Sequence, residues 1–264
     1  ATGGTIVTCG NLKTHIFTGP GTFCVSSISS CATSNKIDYV VVAGAGSGGS
    51  SNPAGSGSGT GGGGAGGFRL ANSLGLPAPT MSPLANPTGL TATVASFPII
   101  VGAGAAPATS GSNTGNNGSV STFSSITSTG GGGGGSESPK GPGNPGGSGG
   151  GSGYNIAGGT GNTPPVSPPQ GNSGGPLSST GAQYSATGGG GAGAVGQTNP
   201  APDVGGAGGI GSFIADGFVG PTAPSYGQPG PVGSTRYFAG GGGGGGGIDS
   251  GPSSTGGVGS SGGG

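Results

Sequence analysis

Apolar positions along the chain gather in short β-branched and aromatic clusters, and each cluster leads into a stretch nearly devoid of side chains. Thr5-Ile-Val-Thr-Cys9, His15-Ile-Phe-Thr18, Thr22-Phe-Cys-Val25 and Ile37-Asp-Tyr-Val-Val-Val42 are strand candidates, because branched and ring side chains fit a pleated surface. Gly19-Pro20-Gly21 marks a turn between two of them. The pattern predicts a small antiparallel β-sheet over residues 1–43. Further on, 90–94 and 97–101 predict a second hairpin, with Pro98 confining its strand to a sheet edge. Residues 113–118 read as a turn cluster and 120–126 as a strand. Helix signals are almost absent, so helical content is expected to be close to nil.

The side-chain-poor stretches are glycine tracts: 61–64, 130–135, 188–191 and 240–247. Tyr39-Val-Val-Val-Ala precedes the first glycine-rich zone, Phe123-Ser-Ser-Ile the second, Tyr184-Ser-Ala-Thr the third and Tyr237-Phe-Ala the fourth. A flexible linker needs no β-like lead-in, so the repeated pair reads as an architectural unit. Residues 136–182 alternate glycine with proline and read as an extended connection.

Composition sharpens the problem. Of 264 residues 77 are Gly and 23 Pro, while only 4% are charged. Disordered chains usually combine low hydrophobicity with high net charge; here the net charge is zero. An ordered chain with 28% apolar residues has too little to fill an ordinary core of this size, so main-chain hydrogen bonds must carry an unusual share, at about 1 kcal/mol net each. The threefold extended helix of the polyproline II type leaves its amides pointing outward. Where the side chain is hydrogen, several such helices approach closely enough to pair those amides with one another. Eight glycines, as in 240–247, span roughly 25 Å at that rise. Collagen is excluded, because no Gly-X-Y period is sustained. The expected fold is mostly β and irregular: an N-terminal β region over 1–43, then a sandwich of polyglycine II helices joined by loops over 44–264.

Candidate chemistry is sparse. Five basic and five acidic residues are scattered singly, which argues against a nucleic-acid stripe. No apolar run approaches the roughly 20 residues that cross a bilayer, and no leader segment is visible. One histidine and dispersed acids supply no metal cluster, and no cofactor is expected. Cys9, Cys24 and Cys31 fit no zinc spacing; at most one pair can join, and buried thiols are the plainer expectation. Gly44-Ala-Gly-Ser-Gly-Gly49 matches a dinucleotide fingerprint, but no helix opens there and position 69 is Arg, not acidic. Lys13, Lys36 and Lys140 do not follow glycine, so no phosphate loop forms. Gly171-Asn-Ser-Gly-Gly-Pro-Leu177 resembles the active-serine segment of chymotrypsin-like proteases, which would make Ser173 the nucleophile. A serine nucleophile needs a base and an orienting acid. The histidine, His15, lacks the family's context, and Asp38 alone among aspartates lies between it and Ser173. A loop is the simpler account, and no enzymatic activity is expected.

Aromatics beside the tracts are the better candidates. Phe68, Tyr154, Phe213, Phe218 and Tyr226 either cover rod edges or, on exposed loops, bind a receptor; Tyr with flanking Gly, Ser and Asn is the composition of adaptable binding loops. Tyr237 and Phe238 belong to the same set.

The run from Val40-Val-Val-Ala-Gly44 to Gly61-Gly-Gly-Gly-Ala-Gly-Gly-Phe-Arg69, with Tyr237-Phe-Ala-Gly-Gly-Gly-Gly later, resembles glycine-rich domains of bacteriophage tail-fibre and virion proteins, marine phages especially. That resemblance implies a polyglycine II sandwich whose connecting loops at the distal tip recognise a host surface glycan or outer-membrane protein. It implies a virion location after assembly in the host cytoplasm, contacts with other virion proteins, and a homo-oligomer, possible as a trimer. A capsid-decorating or head-fibre protein is the alternative; a secreted structural or ice-binding protein is a second, from a different class.

Overall fold

The computed structural model describes residues 1–31, 35–51, 57–77, 79–111, 113–137, 141–154, 156–176, 184–247 and 254–263. Its organising fact is the spacing of amide donors along the glycine-rich segments. In 43–50, the N–H groups of Ala43, Gly46 and Gly49 donate to the carbonyls of Gly67, Gly64 and Gly61 at 3.1, 2.9 and 3.1 Å. Gly44, Ser47 and Ser50 donate instead to Ser119, Asn116 and Asn113 at 3.0, 3.0 and 2.8 Å. Residues three apart address one neighbour and the next residue addresses another, as a threefold extended helix requires.

Segment 57–67 shows the lattice at its densest. Gly61, Gly64 and Gly67 donate to Gly135, Gly132 and Thr129, while Gly59, Gly62 and Ala65 donate to Tyr184, Thr187 and Gly190. Its carbonyls at Gly62 and Ala65 accept from Gly151 and Ser148, and those at Thr60 and Gly63 from Gly245 and Gly242. The packing explains the composition. A Cβ on Gly61, Gly62, Gly63 or Gly64 would land on the carbonyl oxygen of Gly151, Gly242, Gly46 or Ser148 respectively. Backbone cannot retreat from backbone without breaking the paired amides, so only hydrogen fits. The array continues through 184–192, 193–198, 204–211, 239–247 and 254–261: Gly209 donates to Gly189, Gly241 to Gly209 and Ser260 to Gly241.

Two segments read differently in the sequence. Residues 113–118 form not a turn but a rod, with Gly115 and Gly118 donating to Gly134 and Gly131 at 2.8 and 2.9 Å. The stretch 136–182 is no mere connection either, since Gly147 and Gly149 pair with Gly130 and Asn172, and Gly175 with Gly188. A rod needs glycine only where a neighbour's backbone closes over it, not an unbroken run.

Strands sit where rods begin and end, and the ladders pass from one into the other. β1 (Thr5–Cys9) and β2 (Leu12–Ile16) form an antiparallel hairpin. β3 (Gly21–Val25), β4 (Lys36–Ile37) and β5 (Val40–Val42) complete the first 43 residues. β5 pairs with β6 (Phe68–Ala71), Val42 opposite Phe68, and the next rung is already Ala43 to Gly67 in the rods. β6 carries β7 (Ala85–Asn86) on its other side in parallel. β4 pairs with β8 (Leu90–Thr91), and β3 with β9 (Ala95–Ile100), so 90–94 and 97–101 are not partners in one hairpin. β9 also takes β10 (Ser121–Phe123), which forms a hairpin with β11 (Ile126–Ser128). Pro98 therefore lies in an inner strand rather than at an edge. The β10 pairing begins at Ile99, one residue beyond it, which leaves the missing amide outside that ladder. The strands of residues 1–43 pair antiparallel as expected, but apart from the β1–β2 hairpin their partners come from 68–100.

A last insertion, 212–238, holds β12 (Ser212–Ala215), α1 (Asp216–Val219), a 3-10 turn over Gly220–Ser225, β13 (Gln228–Pro229) and β14 (Thr235–Phe238), in sheet order β12-β14-β13. The four-residue α1 and that turn are the helical content among the described residues. Side chains concentrate at the strands in two cores. One gathers Phe68, Leu70, Met81, Ile214 and Val219 with the rod alanines Ala65, Ala192 and Ala239. The other packs Phe23, Val25, Tyr39, Val41 and Phe123, with Phe23 and Phe123 edge to face at 5.9 Å. Burial raises the Tyr39 hydroxyl's pKa, with Arg69 opposing and Asp38 reinforcing. Cys9 and Cys31 are exposed, contrary to the buried thiols expected, and half-buried Cys24 lies 3.3 Å from Ser96 Oγ. Cys9 and Cys24 lie on β1 and β3 and Cys31 beyond β3, all outside both cores.

Candidate functional site

Direction along the rods sorts the connections by end. Antiparallel pairing sets 43–50 against 57–67 and 113–120, and 129–136 against 57–67; 239–247 likewise opposes 204–211. Traced through these pairs, the described rod ends at 50, 106, 136, 153, 176, 198 and 247 all lie at one end of the bundle. Every β-sheet and both cores lie at the other. The bundle thus has a side-chain-packed end and an end at which seven rods finish away from both cores.

Within the loop end, short polar side chains hold the backbone. Ser50 Oγ donates to the carbonyl of Thr109 at 2.7 Å and also contacts that of Gly111, while Asn113 Nδ2 reaches back to Thr109 and Ser110. Asn116 Nδ2 donates to Ala106 and Pro107 carbonyls at 3.0 and 3.2 Å. Ser185 Oγ joins the carbonyl of Pro202, and Gly247 N–H joins Ser185 Oγ at 3.1 Å. Asn and Ser serve here because their side chains imitate a turn's own hydrogen bonds. In the same region Tyr154 and Tyr184 stack with ring centroids 5.1 Å apart and planes 11° apart, both half-buried.

Of the five aromatics singled out from sequence, only Tyr154 is at this end. Phe68 is 1% exposed, inside the first core. Its β5 pairing explains this: the strand that ends one rod turns the ring inward. Phe213 stacks obliquely on Tyr237 at 5.1 Å, and Phe218 packs against the first core from α1. Tyr226 is half-buried, its carbonyl accepting from Arg236 Nε at 2.7 Å. These four belong to the sheet end. Tyr184 is the residue sequence reasoning passed over; as the first letter of a glycine lead-in it carried no sign of facing Tyr154.

The groups weighed for serine chemistry make separate contacts. Ser173 Oγ accepts from Gly161 N–H at 3.2 Å, His15 Nδ1 lies 2.7 Å from the Gly3 carbonyl, and Asp38 accepts from Ser73 and Leu74. Leu177 and Lys140 lie outside the described residues. Among the described residues no three acidic, His or Cys side chains gather as a metal site, and no helix is long and apolar enough to cross a membrane.

The sequence pattern of a known family, described as the glycine-rich domain, matches residues 18–264. The chain belongs to the glycine-rich domain family. Its match begins just ahead of β3 and takes in the rods and every named sheet except the β1–β2 hairpin. Comparison with curated proteins and with solved structures gives no match. The glycine-rich domain is therefore read from its own geometry.

Proposed function

We propose that this glycine-rich domain is a virion structural protein, a component of a phage tail fibre or adhesin, whose loop end contacts the host envelope. One observation carries the reading: the rod ends at 50, 106, 136, 153, 176, 198 and 247 meet at one end of a hydrogen-bonded lattice while the apolar cores are kept at the other. Such a division suits a part that is held from behind and read from the front. Loops positioned by a rigid scaffold are where recognition residues concentrate. Lattice amides that are already paired resist the local opening on which proteases act.

The ligand class follows from the end's chemistry. Tyr154 and Tyr184 offer stacked rings, and Ser50, Thr109, Asn113 and Asn116 offer neutral donors and acceptors. Rings at the same end as hydroxyl and amide groups match a neutral sugar better than a charged partner, and a surface glycan is the proposed receptor. Tyr154→Ala is expected to weaken attachment of the purified protein to host cells about tenfold or more, the loss of a ring contact worth one to a few kcal/mol. Its melting temperature should stay within about 2 °C, because the ring lies away from both cores. Cell attachment measured by flow cytometry beside a thermal melt checks both. Full attachment by Tyr154→Ala and by Tyr184→Ala would remove the Tyr pair from the reading. Imaging the chain on the capsid shell instead of the tail would end the adhesin assignment.

A further inference from the structure

Three residues per turn, each with one N–H and one C=O, give a rod six bonding directions. Around 57–67, 43–50, 129–136, 146–153, 184–192 and 239–247 fill all but one. The remaining direction lies between 43–50 and 239–247, where the surface is a groove whose lining includes Ala45, Gly46, Gly48, Gly63 and Gly243 and, at the Gly240 end, Gly263 of the C-terminal segment. Its polar groups are main-chain groups left over from the lattice. Among the described residues the N–H groups of Thr60 and Gly63, on the floor, have no hydrogen-bond partner, nor do the carbonyls of Gly46 and Gly243 on the two walls. The groove therefore presents a row of acceptors, a row of donors and a second row of acceptors, repeating every third residue. A threefold extended strand alternates N–H and C=O around its axis, and laid in the groove it meets all three rows.

A second observation points the same way. Most lattice glycines are forced by their own chain, but Gly48 is not: a Cβ there would find its nearest neighbour, the Gly61 carbonyl, at 3.6 Å, an ordinary contact. A side chain at 48 would instead stand in the groove. Glycine at that position keeps the groove clear for an occupant.

We infer that this groove binds an extended segment of another polypeptide with glycine at every third residue. Rod 113–120 displays the pattern. It touches the rods on only part of its circumference; Gly115 and Gly118 face the Ser47 and Gly44 carbonyls, while Asn116, Asn117 and Ser119 keep their side chains. The occupant is a different protein, since the glycine tracts of this chain are already engaged in the lattice. The stretches outside the described residues carry no two glycines three apart, only single ones such as Gly55, Gly181 and Gly251. The inference concerns the flank of the bundle and does not rest on the receptor reading.

The test uses the full chain and a fluorescent peptide of repeated Gly-Ser-Asn triplets, with repeated Ala-Ser-Asn triplets as its partner probe. Fluorescence anisotropy should show saturable binding of the glycine peptide. The alanine peptide should bind at least ~10-fold more weakly, as expected for a methyl driven into a closed backbone contact. Gly48→Leu should weaken binding by a similar factor. Gly104→Leu should leave it unchanged, since a Cβ on Gly104 comes no nearer than 3.9 Å to the Ala45 carbonyl, on the far side of 43–50. Circular dichroism melts of both variants establish that they fold. Equal binding of the two peptides, or no saturable binding, overturns the inference. So does concentration-dependent dimerisation of the chain alone that Gly48→Leu abolishes, because the occupant would then be a second copy.

Discussion

Gly61→Ala is expected to leave the protein largely unfolded or insoluble. The added methyl would meet the Gly151 carbonyl, with the Gly135 amide close beside it. Both belong to rods that are themselves held on other sides, Gly135 by its bond to the Gly151 carbonyl and Gly151 by its own to Gly62. Ordinary overpacking costs about 1–3 kcal/mol because side chains shift to make room. Here the obstacle is main chain, and relief requires several paired amides to part, each worth about 1 kcal/mol. A loss of more than about 4 kcal/mol places the substitution among the exceptional ones, and a melting temperature at least about 10 °C lower follows for a chain of this size. Gly48→Ala, with its nearest contact at 3.6 Å, should melt within about 2 °C of the parent. Thermal melts of the two variants side by side separate crowding from any general intolerance of alanine for glycine.

Phe68→Ala is expected to cost about 3–5 kcal/mol, the range for deleting a buried aromatic side chain. The ring is 1% exposed and packs with Leu70, Met81 and Ile214 at the junction where β6 leaves the rods. Loss there loosens the ladder that joins Val42 to Phe68 and then Ala43 to Gly67, so rods 43–50 and 57–67 should lose protection along with the core. A denaturant titration reads the stability change. It also separates a packing role from a binding role. A receptor contact would leave the unfolding midpoint in place and lower attachment alone, as Tyr154→Ala should do.

What the sequence disclosed and what it hid have the same cause. Gly240 to Gly247 announces a rod because consecutive residues address several crowded neighbours, and most of them must lack a side chain. Rod 113–120 announces nothing, because only Gly115 and Gly118 meet a closed backbone, while Asn116 and Ser119 are exposed and Thr114 and Asn117 keep side chains beside Gly141 and Gly133. Its glycines at 115 and 118 look like turn residues until the Ser47 and Gly44 carbonyls are placed beside them. Strand identity was legible from branched residues at 5–9, 21–25 and 40–42, yet strand partners were not. β3 pairs across more than seventy residues with β9, and nothing in a two-residue periodicity names a partner so distant. For the recognition end, composition gave the residue types but not the end of the bundle on which each would fall. Phe68 and Tyr154 both flank glycine; the first opens a strand that turns into a core, and the second closes rod 146–153 at the loops.

The central claim is that glycine main chain, paired rod to rod, holds this protein together. Amide hydrogen exchange resolved by residue addresses it most directly. The N–H groups of Gly61, Gly64, Gly132, Gly134, Gly189 and Gly241, each bonded to a neighbouring rod, should be protected by factors of about a thousand or more, as in a cooperative core. Those of Thr60 and Gly63, which face the groove, should exchange far faster. Glycine tracts exchanging at the rate of an unfolded chain while β9 and β10 stay protected would contradict the account.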